Sequence, residues 1–118
     1  MATSFTKIVD GNGGADYTTL TAAIAAVSAG DSIFVKGGQT YSESPDVNKA
    51  IAVHIGPGTT FTAFTVSAAA QVIWGNGGVC TGALTQSGAD SHISCRNGLD
   101  TGGLIVSGAR AFFNGGGW

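Results

Sequence analysis

"TGALTQSGAD" (Thr81–Asp90) is followed twenty residues on by "TGGLIVSGAR" (Thr101–Arg110), with six of the first nine positions identical and no gap. The preceding stretch, "FTAFTVSAAA" (Phe61–Ala70), fits the same frame more loosely: Ala63, Thr65, Ser67 and Ala69 return as Ala83, Thr85, Ser87 and Ala89. Self-similarity at a fixed period marks a repeat architecture, in which each line is one unit stacked on the next. Written in lines of twenty, the chain shows columns. Ile33, Val53, Ile73, Ile93 and Phe113 form one of large apolar side chains, and Phe64, Leu84 and Leu104 form a second. Val35 and Ile55 open a third, which continues as Gly75 and Cys95. Gly38, Gly58, Gly78 and Gly98 form a fourth, as a turn that needs positive φ would. Within the lines, "SIFV", "IAVHI", "QVIW", "FTVS" and "LIVS" are short β-rich runs separated by Gly, Asn, Ser and Asp. Short strands that recur once per coil, about 4.8 Å apart, make a β-solenoid.

The start breaks the pattern. Residues 18–28, "TTLTAAIAAVS", place Leu20, Ile24 and Val27 at helical spacing, and Gly30 follows as a stop. A helix with one narrow apolar stripe, placed before the first coil, suits the end of a solenoid that must face water. The expected fold is therefore an all-β single domain over 1–118. Residues 1–30 supply an N-terminal strand and an α-helical cap, and 31–118 supply four to five coils of a parallel β-helix.

Composition narrows the function classes. The 118 residues carry five basic and seven acidic side chains, a net charge of −2 and 20 glycines. Five scattered basic residues give no electrostatic footprint for nucleic acid. No run of 18 apolar residues suggests a membrane span. The opening "MATSFTKIVDGNGG" has no apolar export segment. Cys80 and Cys95 match neither a metal-site nor a redox spacing, and they read as buried reduced thiols. The expectation is a soluble protein made in a cytosol.

The stretch from Asp16 to Ser44, "DYTTLTAAIAAVSAGDSIFVKGGQTYSES", resembles the opening segment of pectin-lyase-like right-handed parallel β-helices. Pectinesterases, polysaccharide lyases and phage tailspikes belong to that class. The resemblance covers about 30 residues, implies a capped right-handed β-helix, and is nearly silent on activity.

The enzymatic members of that class would need carboxylates on adjacent coils, to hold Ca²⁺ or to work as an acid–base pair. In the twenty-residue frame no acidic pair sits one coil apart. Asp31 is followed by Ile51, Gln71 and Ser91, and Asp90 lies over Arg110, an arrangement that reads as a surface ion pair between coils. His54 and His92 fall on different columns with no nucleophile beside them. The "GNGG" runs at Gly11 and Gly75 lack the lysine and helix of a phosphate loop and read as turns. An ice-binding threonine ladder, begun by Thr60, Thr62 and Thr65, is broken by Gly82 and Gly102. The chain reads as non-enzymatic, with no cofactor and no metal.

Strand alternation then defines an outer face. With the Ile33 column inward, Phe34, His54 and Trp74 point out on one side, and Val72, His92 and Phe112 on the other. An apolar exterior of this kind is the composition of an interface. The last line ends in "GGGW", and Trp118 is expected to cover the open end of the solenoid or to meet a neighbour there. These features suggest a homotrimeric structural protein of a bacteriophage virion, a head decoration or a spike or fibre part, contacting a capsid or tail protein. The competing reading is a carbohydrate-binding or carbohydrate-cleaving β-helix, with the outer aromatics against a glycan.

Overall fold

The computed structural model describes residues 7–95, 99–108 and 110–114. Its elements run β1 (Lys7–Val9), α1 (Leu20–Ala26), β2 (Ser32–Val35), β3 (Thr40–Tyr41), β4 (Asp46–Val47), β5 (Ala52–Ile55), β6 (Thr60–Phe61), β7 (Phe64–Val66), β8 (Gln71–Trp74), β9 (Gly78–Gln86), β10 (His92–Cys95), β11 (Leu99–Val106) and β12 (Phe112–Asn114). A first sheet has the order β1-β2-β5-β8-β10-β12, and a second has β3-β6-β9-β7-β4 with β11 beside β9. Every named pair is parallel. Each winding of the chain lays one strand on the first sheet and returns through the second. The result is a β-solenoid of about four turns.

The stacking follows the repeat, with one correction. Ile33 lies on Val53, Ile93 on Phe113, and Phe64, Leu84 and Leu104 on one another, each twenty residues apart. Between them the frame slips by one residue. Val53 lies on Val72 and Val72 on Ile93, so one coil is nineteen residues long and the next is twenty-one. Val72 therefore fills the core position expected of Ile73, and Ile73 faces outward between His54 and Ser94. Trp74, not Gly75, completes the column of Val35, Ile55 and Cys95. The turn glycines slip with it: Gly38, Gly58 and Gly77 have φ of 74°, 69° and 71°, whereas Gly78 begins β9. Gly98 lies outside the described residues.

Packing explains why the slip wins. Trp74 is fully buried, with its ring centroid 5.6 Å from that of Phe61 and 5.2 Å from that of Phe64. Phe61 in turn stacks on Tyr41 at 5.1 Å. The indole Nε1–H donates to the Thr59 carbonyl at 3.4 Å, so burial leaves its polar tip satisfied. Burying an aromatic of this size stabilises by roughly 2–3 kcal/mol. A phase of strict twenty would have turned it toward water.

The cap is shorter than the apolar stripe suggested, seven residues rather than eleven. Leu20, Ala23 and Ile24 on the helix are buried, as is Val27 just beyond it. Thr19 is the N-cap, its hydroxyl accepting from the Ala22 N–H at 3.2 Å. A helix this short is marginal alone. It is anchored by packing on β1, β2 and β4 and by side chains from the first coil. Cys80 and Cys95 are buried free thiols, as expected.

Candidate functional site

The outer face of the first sheet carries the side chains that alternate with the core column. One row runs Ile8, Phe34, His54, Ile73 and Ser94, adjacent strand by strand in the pairing. Ile8 is 41% exposed, and the other four are half-buried. The neighbouring row runs Ser32, Ala52, Gln71 and His92, the last two exposed. This face is about 24 Å long, given six strands at the usual spacing. It bears no Asp, Glu, Lys or Arg between β2 and β10.

Phe34 and His54 thus lie side by side and outward, as expected, and His92 is exposed on the next row. Val72 and Trp74 do not belong to this surface. The one-residue slip turns both inward, to 1% and 0% exposure. Ile73, which the twenty-residue frame placed in the core column, takes their place, together with Ile8, to which the sequence reading gave no role. The backbone of Phe112 pairs with that of His92, but its side chain and the whole of Trp118 lie outside the described residues.

Beside the row, a shallow groove of about 390 Å³ is lined by Phe34, His54, Ile73, Pro57 and Asn76, among others. It exists because the turn after each of these strands folds tightly over the one below. A Cβ on Gly56 would come within 2.6 Å of the Gly37 nitrogen, and one on Gly75 within 2.8 Å of the Pro57 nitrogen. Only glycine lets the backbones approach so closely.

Elsewhere the titratable groups act structurally. The Asp10 carboxylate accepts from Gln39 Nε2 at 2.8 Å and from the Asn12 N–H at 2.9 Å, with Lys36 Nζ at 3.5 Å. These partners, Gln39 foremost, hold its pKa below the ordinary carboxylate value. This knot fixes the "GNGG" turn after β1. The Arg110 guanidinium forks onto the Asp90 carboxylate, Nε to Oδ1 at 2.5 Å and Nη2 to Oδ2 at 2.9 Å. That is the ion pair between coils that the repeat implied. Burial pushes the Cys95 thiol up to about 11 and raises Cys80 as well, the opposite of an activated nucleophile. Among the described residues, no three His, Cys, Asp or Glu side chains gather as a metal site would need. Nor is any helix among them long and apolar enough to cross a membrane.

Comparison with protein-family models, with curated proteins and with solved structures finds no match for this chain. The fold class is that of a β-solenoid, and the functional reading rests on the surface just described.

Proposed function

We propose that this chain is a non-enzymatic assembly protein that forms a homotrimer, with the outer face of the first sheet turned toward the threefold axis. The observation that carries the reading is the row of Ile8, Phe34, His54 and Ile73, which holds no Asp, Glu, Lys or Arg. Apolar side chains in register on adjacent strands are what an interface core requires and what a solvated β-face avoids. A bacteriophage virion part, in the head or the tail, is the setting suggested by the likeness of the segment 16–44 to tailspike-type right-handed β-helices. A major capsid or tail protein would then be the further partner.

The test is the mass of the full chain in solution by light scattering. The unmodified protein is expected at a multiple of three times its 11.7 kDa. Ile73→Lys is expected to lower the mass threefold while the circular dichroism spectrum stays unchanged. A mass untouched by Ile73→Lys would remove this face from the assembly.

The groove favours a second reading, in which Phe34 offers a ring face and His54 and Asn76 offer hydrogen bonds to a sugar. Glycan-array binding that is lost in Phe34→Ala, with the fold intact, would select it over the first.

A further inference from the structure

His54 stands in the middle of the outer row. Of the first sheet, β1 and β2 lie on one side of its strand and β8, β10 and β12 on the other. Phe34 and Ile73 are its neighbours on the adjacent strands, and Pro57 and Asn76 line the groove beside it. The imidazole is half-buried already in the single chain. In a row of Ile8, Phe34, His54, Ile73 and Ser94 it is the side chain whose charge changes between about pH 5 and 8.

The charged groups around this face are all engaged elsewhere. β2, β5, β8 and β10 carry no Asp, Glu, Lys or Arg, and Lys7 on β1 is in the register of the inward Ile33. Among the described residues, charge enters only at the ends of the four strands. Before them, the Asp31 carboxylate accepts from the Ser28 N–H at 2.8 Å, Lys49 Nζ donates to the Ile24 and Val27 carbonyls, and Asp90 holds Arg110. After them, Lys36 Nζ lies 3.5 Å from the Asp10 carboxylate. Arg96, which follows β10, lies outside the described residues. His92, the other titratable group on the face, is exposed on the neighbouring row.

We infer that His54 makes the assembly pH-dependent: the face associates while this imidazole is neutral and separates when it is protonated. The inference rests on the trimer proposed above. With the row turned to the threefold axis, each of three copies brings one His54 and no carboxylate from these strands. Carrying the neutral ring into an apolar contact costs little. Carrying the protonated ring there costs far more, because its charge loses water, and three like charges then gather about one axis.

The sign follows from linkage. The separated chain keeps the imidazole partly in water and tolerates its charge, so dissociation takes up protons. Assembly is therefore complete at high pH and is lost as pH falls through the histidine range. One proton taken up per copy changes the assembly constant tenfold per pH unit. Three copies change it by up to about a thousandfold per unit.

The experiment is light scattering and native mass on the full chain from pH 8 to pH 5 at constant ionic strength, with circular dichroism as the check of fold. The unmodified protein is expected as a trimer at pH 8 and as folded single chains of 11.7 kDa below about pH 6, with a slope of two to three protons per trimer. His54→Gln is expected to hold the trimer down to pH 5, and His92→Gln to follow the unmodified protein. Should His54→Gln fail to assemble at pH 8, His54→Leu, apolar like its neighbours, replaces it. The slope of the unmodified protein needs no variant, and a flat one, with the trimer intact at pH 5, would overturn the switch and leave the trimer standing. A pH dependence kept in the His54 variants and lost in His92→Gln would overturn the assignment to His54. A single chain at pH 8 as well as at pH 5 would overturn both the trimer and its control.

Discussion

Glu43 and Lys49, six residues apart on the first coil, grip opposite ends of the same helix. The Glu43 carboxylate accepts from the Leu20 N–H at 2.9 Å, the Thr21 N–H at 2.8 Å and the Thr21 hydroxyl at 2.6 Å. Lys49 Nζ donates to the carbonyls of Ile24 at 2.8 Å and Val27 at 2.7 Å, with Ala25 at 3.3 Å. Each charge sits where the helix leaves unpaired backbone groups and opposes the partial charge of that end. Lys49→Met is expected to cost about 1–2 kcal/mol in urea unfolding, and Glu43→Ala a similar amount. The double variant is expected to fall short of the sum, because either loss frees the same helix. Two single variants within experimental error of the parent would show that packing alone holds the cap.

Acid sensitivity is expected from Asp10. Its pKa is lowered in the folded state, from an ordinary 3.8, by Gln39, Asn12 and Lys36. A depressed carboxylate contributes stability that is complete above the unfolded value and is lost as pH falls through the folded one. Urea midpoints measured from pH 6 down to 2.5 are expected to drop below about pH 4. In Asp10→Asn that part of the drop is expected to be missing. An unchanged acid limb in the variant would mean that the knot around the first turn does not favour the charged form.

The thiols are expected to resist modification. With its pKa near 11, Cys95 is thiolate in only about one molecule in a thousand at pH 8, and Cys80 is raised too. A chromogenic disulfide reagent should react slowly with the native protein and promptly with two thiols in urea. Fast native labelling of either would place it outside the core.

Asp90 and Arg110 both hold left-handed backbone, at φ of 62° and 57°. Their ion pair is exposed, so solvent screening leaves it little net stabilisation. The conformation costs a side chain about 1 kcal/mol. Arg110→Gly is therefore expected to be nearly neutral in thermal unfolding, since it loses the pair and sheds the strain. Arg110→Val loses the pair and keeps the strain, so it is expected to melt lower. The reverse order would put the weight on the pair.

Much of this was legible because the repeat is written in apolar columns. Ile33, Val53, Ile93, Phe64 and Leu84 could be stacked by counting, and so could Asp90 over Arg110. The slip at the third coil could not, for a physical reason. "QVIW" is apolar at Val72, Ile73 and Trp74, and Gly77 is followed by Gly78, so either phase satisfies the strand and the turn. Shifting a strand by one residue exchanges its two faces, which moved Trp74 and Val72 from the expected surface into the core. A signal was present in the frame itself. Gly75 interrupts the column of Val35 and Ile55, and the tryptophan beside it is the side chain with most to gain from filling that place. The roles of Glu43 and Lys49 had no such signal, because a contact across more than twenty residues between two charged side chains and backbone ends leaves no period to read.

The exchange of roles between Val72 and Ile73 is the point on which both the core and the outer face turn. Circular dichroism and thermal melting of Val72→Lys beside Ile73→Lys tests it directly. Val72→Lys buries an unpaired charge and is expected to abolish the cooperative transition, while Ile73→Lys is expected to keep the parent spectrum and a cooperative melt. A folded Val72→Lys with an unfolded Ile73→Lys would restore the strict twenty-residue stack and contradict the surface described here.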